Sequence, residues 1–397
     1  MDNQQDNRNH DHQDDERDNE ASMDDFRQSF GENFSDTIDI DTWRIGENLA
    51  EIYSTIEKEL LSAKQDEQKN HQIIRHEIFP RIKDRMLVPH AGNHLIKDET
   101  IIEKVHRGFL FNGAVTAGGS VSAVYETVPL SIIQIAVCLI NYFGQQGSYS
   151  HRMYRKDLHQ KSGDSIGDLL NLIERRAADS TGRSRSKLSA LAVRGIKAYA
   201  ERKILLEKST SNWLLAGGSP TPYELMTGFW ASRTEMKEKS IELMRGMVLD
   251  HQRFVYVQSS ANMGDLWTLG SALYPLEYLV LDTMEDNLIH MVESGGTRGE
   301  FYKGYLNFAR EVGPKIVRGL FKVSRQAPPQ LFYCHIDHIQ TAVLIAIADS
   351  VLQLHQGSPM LLDLANHLCQ NAFGKNDFFA TIEQAYVNAD ISLRIQA

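Results

Sequence analysis

The tetrapeptide Ala-Gly-Gly-Ser occurs twice in this chain, at residues 117–120 and 216–219, each time after an apolar stretch. The first stretch is Gly108–Gly113, which includes Asn112, and the second begins at Trp213. A strand that passes into a glycine-rich turn presents side chains at the rim of a sheet. The repeat therefore predicts two strands that end at such a rim. Neither turn contains a carboxylate, the side chain that metal-dependent chemistry there usually requires.

The rest of the chain alternates between strand and helix patterns, which predicts an α/β chain with a mixed sheet. Further strands are expected within 121–142, at 253–258 and at 331–335, and residues 341–347 fit either a strand or a buried helix. Helices are expected at 166–178, 188–208, 223–250, 271–293, 360–373 and 377–388. The polar residues between 144 and 165 carry no predicted strand.

The N-terminal region has a different composition from the rest. Residues 1–35 are polar and nearly free of aliphatic side chains, so we expect a disordered acidic tail. Residues 36–90 contain two amphipathic patterns, Asp41–Lys69 and His71–Met86, which predict a helical hairpin whose second helix is kinked by Pro80. The main domain is expected to cover residues 100–397.

The net charge of −10 is unevenly distributed. Residues 1–20 hold eight acidic side chains and two arginines, a net of −6, whereas residues 152–203 hold thirteen basic and six acidic side chains, a net of +7. A basic segment of this kind is compatible with binding to the phosphates of DNA, and a solvated helical face is the alternative. The candidate DNA-binding residues are Arg175, Arg176, Arg183, Arg185, Lys187 and Arg194.

Several other classes of protein are disfavoured. The sequence contains no run of 18 apolar residues, so no membrane span is predicted. The acidic N-terminus does not have the pattern of a signal peptide. The three widely spaced cysteines suit a reducing compartment, so a cytoplasmic location is expected. No phosphate-binding loop motif and no Ser-His-Asp order occurs. His335 and His338 would diverge on a strand and converge on a helix, so a metal role depends on the local structure.

The order of these elements from Phe109 to Val387 resembles the NurA nuclease family. That family has two apolar strands that each end in Asp-Gly-Ser, an acidic residue on a helix between them, and a late Gly-Tyr-Pro before a helix with Ala-His. Here the corresponding features are the two Ala-Gly-Gly-Ser segments, Gly357-Ser-Pro359 and the helix that carries His367. The resemblance implies an RNase H-like mixed sheet flanked by helices, Mn²⁺ or Mg²⁺ as cofactor, DNA as substrate, a homodimer, and a HerA-type hexameric ATPase as partner.

The resemblance also assigns candidate site residues. When the serines are matched, the family aspartates fall at Gly118 and Gly217; when the apolar runs are matched, they fall at Asn112 and Ala216. The helical acid corresponds to Glu201 or Glu207, and Asn112 and Glu201 are the candidate metal ligands. His367 matches the family histidine with a one-residue slip. The catalytic candidates are therefore Asn112, Gly118, Glu126, Glu201, Glu207, Gly217 and His367.

Three functions remain open from the sequence. The first is a catalytically degenerate NurA-like subunit, without activity or weakly active, for which a metal is expected only if activity is retained. It would bind DNA through the basic 152–203 segment and dock on a HerA-type ATPase in DNA repair or phage defence. The second is an active nuclease that uses substitute acids such as Glu126, Asp337 or Asp349. The third is a regulatory scaffold without affinity for DNA.

Overall fold

The computed structural model describes residues 23–43, 49–85, 88–126, 130–155, 164–180, 190–228, 234–258, 264, 266–294 and 299–391. The chain divides into two compact units, Met1–Lys69 and Asn70–Ala397. The first unit contains helices α1 (Met23–Phe30) and α2 (Phe34–Ile38), and α3 (Leu49–Ile73) begins in it. Helix α1 lies within the stretch that was predicted to be disordered, while residues 1–22 of that stretch lie outside the described residues.

The second unit contains the sheet and most of the helices. Its strands are β1 (Gly92–Leu95), β2 (Val115–Glu126), β3 (Ser131–Asn141), β4 (Gly144–Arg155), β5 (Trp213–Gly217), β6 (Phe254–Gln258), β7 (Glu277–Thr283), β8 (Ile316–Lys322) and β9 (Gln330–His335). Its helices are α4 (Phe79–Arg85), α5 (Thr100–Val105), α6 (Ser165–Ser180), α7 (Ala190–Lys208), α8 (Tyr223–Thr227), α9 (Thr234–Arg245), α10 (Leu266–Ser271), α11 (Glu285–Ser294), α12 (Glu300–Val312), α13 (Ile339–Val351), α14 (Met360–Phe373) and α15 (Lys375–Asn388).

All nine strands form one mixed sheet in the order β1-β7-β8-β9-β6-β5-β2-β3-β4. Strands β2, β3 and β4 make an antiparallel meander, and β5 and β6 then add in parallel on the other side of β2. A meander of three strands followed by two parallel strands is the core arrangement of RNase H-like folds. The predicted α/β class with an RNase H-like mixed sheet is therefore confirmed.

Two apolar layers cover the two faces of the sheet. On one face, which we call the α7 face, Leu205 of α7 packs with side chains of α9, α11 and α12. On the other face, which we call the α14 face, Ala365 of α14 packs with side chains of α5 and α13. Because successive residues of a strand point to opposite faces, each strand contributes alternate side chains to the two layers. The buried strand positions are accordingly apolar on both sides.

Several predicted elements match the structure closely. The strands at 253–258 and 331–335 correspond to β6 and β9, and α14 has the bounds that the sequence pattern predicts. The ambiguous stretch at 341–347 is helical and lies within α13. These elements combine strong local propensity with a buried apolar side, so local pattern and tertiary packing agree.

The stretch Gly108–Gly113 is not a strand, which corrects the first prediction. Residues 106–110 form a π-helical turn, and β2 begins only at Val115. Asn112 explains the boundary, because its Nδ2 donates to the Gly108 carbonyl at 2.7 Å and its Oδ1 accepts from the Ala114 amide at 3.0 Å. These bonds close a turn before the strand starts.

The first Ala-Gly-Gly-Ser segment is also not a turn. Residues 117–120 lie inside β2 and pair with β3 through residues 137–140. The second segment fits its prediction, since β5 ends at Gly217 and Gly218 has a φ of +80°, a conformation that favours glycine. The same four residues therefore adopt two backbone conformations in one protein.

Three further predictions are wrong. Residues 144–155, for which no strand was predicted, form β4. This strand lies at the edge of the sheet, and its sequence is polar because an edge strand is only partly buried. Residues 277–283 form β7 instead of a helix, because a fully buried strand and a buried helix have similar apolar patterns. In place of the predicted hairpin, α3, a π-helical turn at Ile74–Ile78 and α4 follow one another directly.

Candidate active site

The parallel strands β2, β5 and β6 run in the same direction in the middle of the sheet. In open α/β sheets, ligands bind beside the carboxyl ends of the strands, where the connections diverge. Strand β5 ends at Gly217, beside Gly119 of the longer β2. This place in the sheet, together with α7 above it, contains Ser120 and Glu201 and the loop that follows β5. We call it the candidate site.

Glu201 is the acidic side chain of the candidate site. It lies in α7 and is 9% exposed. Its Oε2 accepts a hydrogen bond of 2.5 Å from the Ser120 Oγ of β2. A buried carboxylate costs free energy unless polar groups solvate it, and the serine hydroxyl supplies one such contact. This bond fixes Glu201 on the α7 face of the sheet.

Arg202 follows Glu201 and holds the loop after β5. It is 4% exposed. Its Nη2 donates to the Ser219 carbonyl, its Nε donates to the Pro220 carbonyl at 3.2 Å, and its Nη1 donates to the Ala198 carbonyl at 3.0 Å. The guanidinium carbon also lies 5.3 Å from the centre of the Tyr256 ring. Arg202 is therefore committed to backbone carbonyls and an aromatic face.

Burial also perturbs Tyr256, the aromatic neighbour of Arg202. The side chain is fully buried on β6 beside Ala216, and burial raises the pKa of its hydroxyl well above the ordinary value. The hydroxyl donates to the Met247 sulfur at 2.9 Å. Tyr256 therefore stays protonated and serves the packing of this layer.

Gly118 and Ser120 lie on the same face of β2, the face that α7 and Glu201 cover. The surroundings of Gly118, however, are apolar. A Cβ atom at this position would stand 3.5 Å from both methyl groups of Leu205 and 3.8 Å from a methyl group of Leu139. The register partner of Gly118 on β5 is Ala216, which is fully buried in the same apolar layer. Hydrocarbon therefore fills the space in which an acidic side chain from either strand would approach Glu201.

Gly217 points away from that space. It follows Ala216 on β5, and a Cβ atom there would meet Leu362 of α14 at 4.0 Å. Gly118 and Gly217 thus lie on opposite faces of the sheet. When the serines are matched, the two expected aspartate positions do not converge. When the apolar runs are matched, Ala216 is on the α7 face, whereas Asn112 lies in the turn before β2.

Two of the remaining catalytic candidates, Glu207 and His367, are not brought into the site. Glu207 is exposed and pairs with Lys203 at 2.6 Å. His367 is exposed on α14, whose buried side carries Ala365 and Cys369. Glu126 is the last residue of β2, and its side chain is outside the described atoms. Of the three acidic or histidine candidates whose side chains are described, Glu201 is the one that lies in the candidate site.

The substitute acids of the second hypothesis also have structural contacts. Asp349 is fully buried and accepts hydrogen bonds from the Tyr142 hydroxyl and, at 2.9 Å, from the Leu361 amide at the start of α14. Burial raises the pKa of Asp349 to about 6. The Asp337 amide donates to His335 Nδ1 at 3.2 Å, and burial lowers the pKa of His335. The rings of His335 and His338 are 5.9 Å apart at a strand-to-helix junction.

The chemistry of these donors does not fit a divalent metal site. Among the described residues, no three His, Cys, Asp or Glu side chains form a group that could hold a metal ion. Hard divalent cations require several anionic or carbonyl oxygens that converge on one point. In the candidate site, Glu201 supplies a single carboxylate, and Ser120 already occupies one of its oxygens.

Of the candidate DNA-binding residues, one has a described side chain. Arg194 of α7 donates to Glu224 of α8 at 2.8 Å, so its charge is compensated. Arg175 and Arg176 lie in α6, with side chains outside the described atoms. Arg183, Arg185 and Lys187 lie outside the described residues. None of the helices in the described part of the chain has the length and apolar character needed to cross a membrane.

Sequence reasoning missed the contacts of Ser120 and Arg202. The serine of the first Ala-Gly-Gly-Ser was available as a signal, but it was assigned to a turn and therefore not paired with a helix. Arg202 was counted with the basic segment, although it sits one residue after the candidate acid. Its burial could not be anticipated from charge alone.

Comparison with solved structures returns nucleases. The NurA nuclease from Sulfolobus solfataricus matches at 10% identity, over 85% of this chain and 98% of that chain, with a TM-score of 0.40. NurA bound to dAMP and manganese matches at 10% identity, over 85% and 96%, with a TM-score of 0.43. Ciona intestinalis endonuclease V in complex with DNA matches at 10% identity, over 80% and 98%, with a TM-score of 0.25. No family model and no curated protein matches.

Proposed function

We propose that this chain is a NurA-like DNA-processing protein that has lost metal-dependent cleavage and acts as a subunit beside a HerA-type hexameric ATPase, in DNA repair or phage defence. The family assignment is supported by the order of sequence motifs. The loss of cleavage is supported by one observation: Gly118 and Ala216, on the α7 face beside Ser120, lie in the apolar layer that contains Leu205.

The physical argument concerns charge. Phosphodiester cleavage by two metals needs anionic ligands that hold the cations and let them activate water. Glycine and alanine side chains offer no oxygen, and Gly217 faces the opposite layer. If some activity is retained, Mn²⁺ or Mg²⁺ would have to bind at Glu201 with ligands from outside the candidate site.

The proposed DNA contact is the basic segment between residues 152 and 203. Phosphate contacts depend on local charge, and this segment has a net charge of +7 in a chain with a net charge of −10. We expect the variant R183E/R185E/K187E to lose most of its affinity for duplex DNA at low salt. The matched control K104E/R107E/R325E changes exposed residues by the same charge and should retain binding. Equal retention of DNA by both variants would favour the scaffold without DNA affinity.

The proposed homodimer would use the exposed apolar stripe of α3. Tyr53, Ile56 and Leu60 follow one another at spacings of three and four residues, and each is at least 49% exposed. This spacing is the one that places side chains in the seam between paired helices. Ile56→Glu should therefore give monomers in light scattering after gel filtration. Lys58→Glu, at an exposed position nearby, should leave the oligomeric state unchanged.

The decisive test is a nicking assay on supercoiled plasmid with a titration of Mn²⁺. The wild type is expected to show no more cleavage than Glu201→Gln at any Mn²⁺ concentration. Glu207→Gln is the control, because that residue lies on the same helix but is exposed. Strong Mn²⁺-dependent cleavage that disappears in Glu201→Ala or Glu126→Ala would contradict the loss of cleavage and favour the nuclease with substitute acids.

A further inference from the structure

Two of the three cysteines lie side by side between the sheet and α14. Cys138 of β3 and Cys369 of α14 are fully buried and belong to one small cluster with Ala136. Cys369 Sγ also contacts the carbonyl oxygen of Ala136, which lies two residues before Cys138 on β3. The third cysteine, Cys334 of β9, belongs to a different apolar cluster. The three cysteines are far apart in the sequence, so their spacing does not predict which two lie together in the fold.

The close approach of Cys138 and Cys369 depends on Gly119. Gly119 is the register partner of Cys138 on the neighbouring strand, and both residues face α14. A Cβ atom at Gly119 would lie 2.4 Å from the carbonyl carbon of Ala365, so the helix rests on the bare backbone of the strand. Cys369 comes one helical turn after Ala365 and is therefore on the same side of α14. Because Gly119 has no side chain, α14 packs close to the sheet, and Cys369 lies next to Cys138.

The surroundings give the two sulfurs different chemistry. Cys369 Sγ donates to the Ala136 carbonyl at 3.5 Å, while Cys138 Sγ lies 3.2 Å from the Ser148 Oγ. The neighbouring Cys369 thiol lowers the pKa of the Cys138 thiol, and Cys138 in turn raises the pKa of Cys369. Ser148 lies on the edge strand β4 and is exposed, so the fully buried Cys138 thiol contacts a residue that reaches solvent. In contrast, burial raises the pKa of the Cys334 thiol.

We propose that Cys138 and Cys369 form a reversible disulfide that ties α14 to the sheet when the protein meets a hydroperoxide. The Cys138 thiolate attacks one peroxide oxygen, the O–O bond breaks, and a sulfenic acid and one hydroxide result. The Cys369 sulfur then attacks the sulfenic sulfur, an S–S bond forms, and a second hydroxide leaves. The two thiol protons convert both hydroxides to water. Two thiols and one peroxide thus give one disulfide and two waters, and a dithiol reverses the reaction.

The test uses the full-length wild-type protein in its folded state. After treatment with a few equivalents of hydrogen peroxide, the thiol count should fall from three to one. Peptide mass spectrometry without reduction should show Cys138 linked to Cys369, with a loss of two hydrogens. The melting temperature should rise by roughly 4 °C, because the bridge closes a long loop of the unfolded chain. Dithiothreitol should restore the count and the original melting temperature.

Two cysteine variants sharpen the test. Cys334→Ser should form the link as readily as the wild type. Cys369→Ser should leave a sulfenic acid at Cys138 that dimedone labels, which would identify Cys138 as the attacking thiol. The proposal is overturned if the thiol count stays at three, if the link involves Cys334, or if it forms only in urea. Because the wild type carries the main measurement, the result does not depend on any variant folding.

Discussion

The two Ala-Gly-Gly-Ser segments have the same four side chains and play different parts in the sheet. The segment at 117–120 lies inside β2, where Gly119 touches the backbone of α14 and Ser120 bonds to Glu201. The segment at 216–219 ends β5, where Gly218 turns the chain and the carbonyl of Ser219 accepts from Arg202. The conformation of such a segment is therefore decided by what packs on it. Its own sequence permits both outcomes.

The comparison predicts its largest effect at Gly119 of the first segment, and Gly217, the strand glycine of the second segment, serves as the reference. Gly119→Ala would place a methyl group 2.4 Å from the backbone of Ala365, so α14 must shift, and we expect a loss of about 4 kcal/mol. Gly217→Ala meets its first neighbour at 4.0 Å and should cost less than about 0.5 kcal/mol. Urea unfolding of both variants measures the difference. Similar losses at the two sites would show that the close contact between Gly119 and α14 does not determine the cost of the added methyl group.

The anchoring of α14 over the first segment should depend on pH. Burial raises the pKa of Asp349 to about 6, while an unfolded aspartate titrates near its ordinary value of about 4. The folded state therefore binds this proton more tightly, and stability should fall by about 2 kcal/mol as the pH rises from 4 to 6. Asp349→Asn should lack that fall. Parallel stability curves for the two proteins between pH 4 and 6.5 would refute the assignment.

A third pair of variants tests the environment of the expected aspartates. Gly118→Asp would set a carboxyl group against Leu205 and Leu139, so we expect a loss of about 2 kcal/mol. Gly217→Asp has room beside Leu362 and a less buried backbone, so its loss should be under about 1 kcal/mol. Thermal unfolding at neutral pH distinguishes them. If Gly118→Asp is tolerated and gains Mn²⁺-dependent nicking, the site is closer to an active one than the packing indicates.

The smallest difference is expected between the two serines. Ser120→Ala removes the hydroxyl that solvates a buried carboxylate and should cost about 1.5 kcal/mol. The Ser219 hydroxyl accepts from the Thr221 amide at 3.2 Å and lies 3.4 Å from the Thr221 hydroxyl, both neutral partners, and Ser219→Ala should cost about 0.5 kcal/mol. The double variant Ser120→Ala with Glu201→Gln should recover part of the first loss. Additive losses in that cycle would mean that the two side chains do not interact.

Whether an element could be predicted from the sequence depended on how it packs in the fold. Strands β6 and β9 and helix α14 were predictable because local propensity and burial agree in them. Strand β7 was read as a helix because buried strands lack a polar alternation. The first Ala-Gly-Gly-Ser was predicted to be a turn because glycine is common in turns. Glycine also occurs where a helix packs closely against a strand, and the sequence alone does not distinguish the two cases.

The candidate site was predictable in part. Glu201 emerged as a candidate from the resemblance, since an acidic helix residue was expected there. Its bond to Ser120 and the carbonyl contacts of Arg202 depend on how α7 crosses the sheet, which no local pattern encodes. The opposite orientation of Gly118 and Gly217 follows from strand register, and a one-residue difference in register reverses the face to which a side chain points.

Strand β4 has a consequence for solubility. It is the last strand of the sheet, twelve residues long, and long edge strands can recruit other chains through their backbone groups. The register between β3 and β4 shifts at Leu139 and Ile140, which adds twist to this edge. Exposed Arg152, bonded to Gln134, also places a charge along it. Both features oppose edge-to-edge aggregation, so the protein should stay dispersed at high concentration even though its sheet has a long open side.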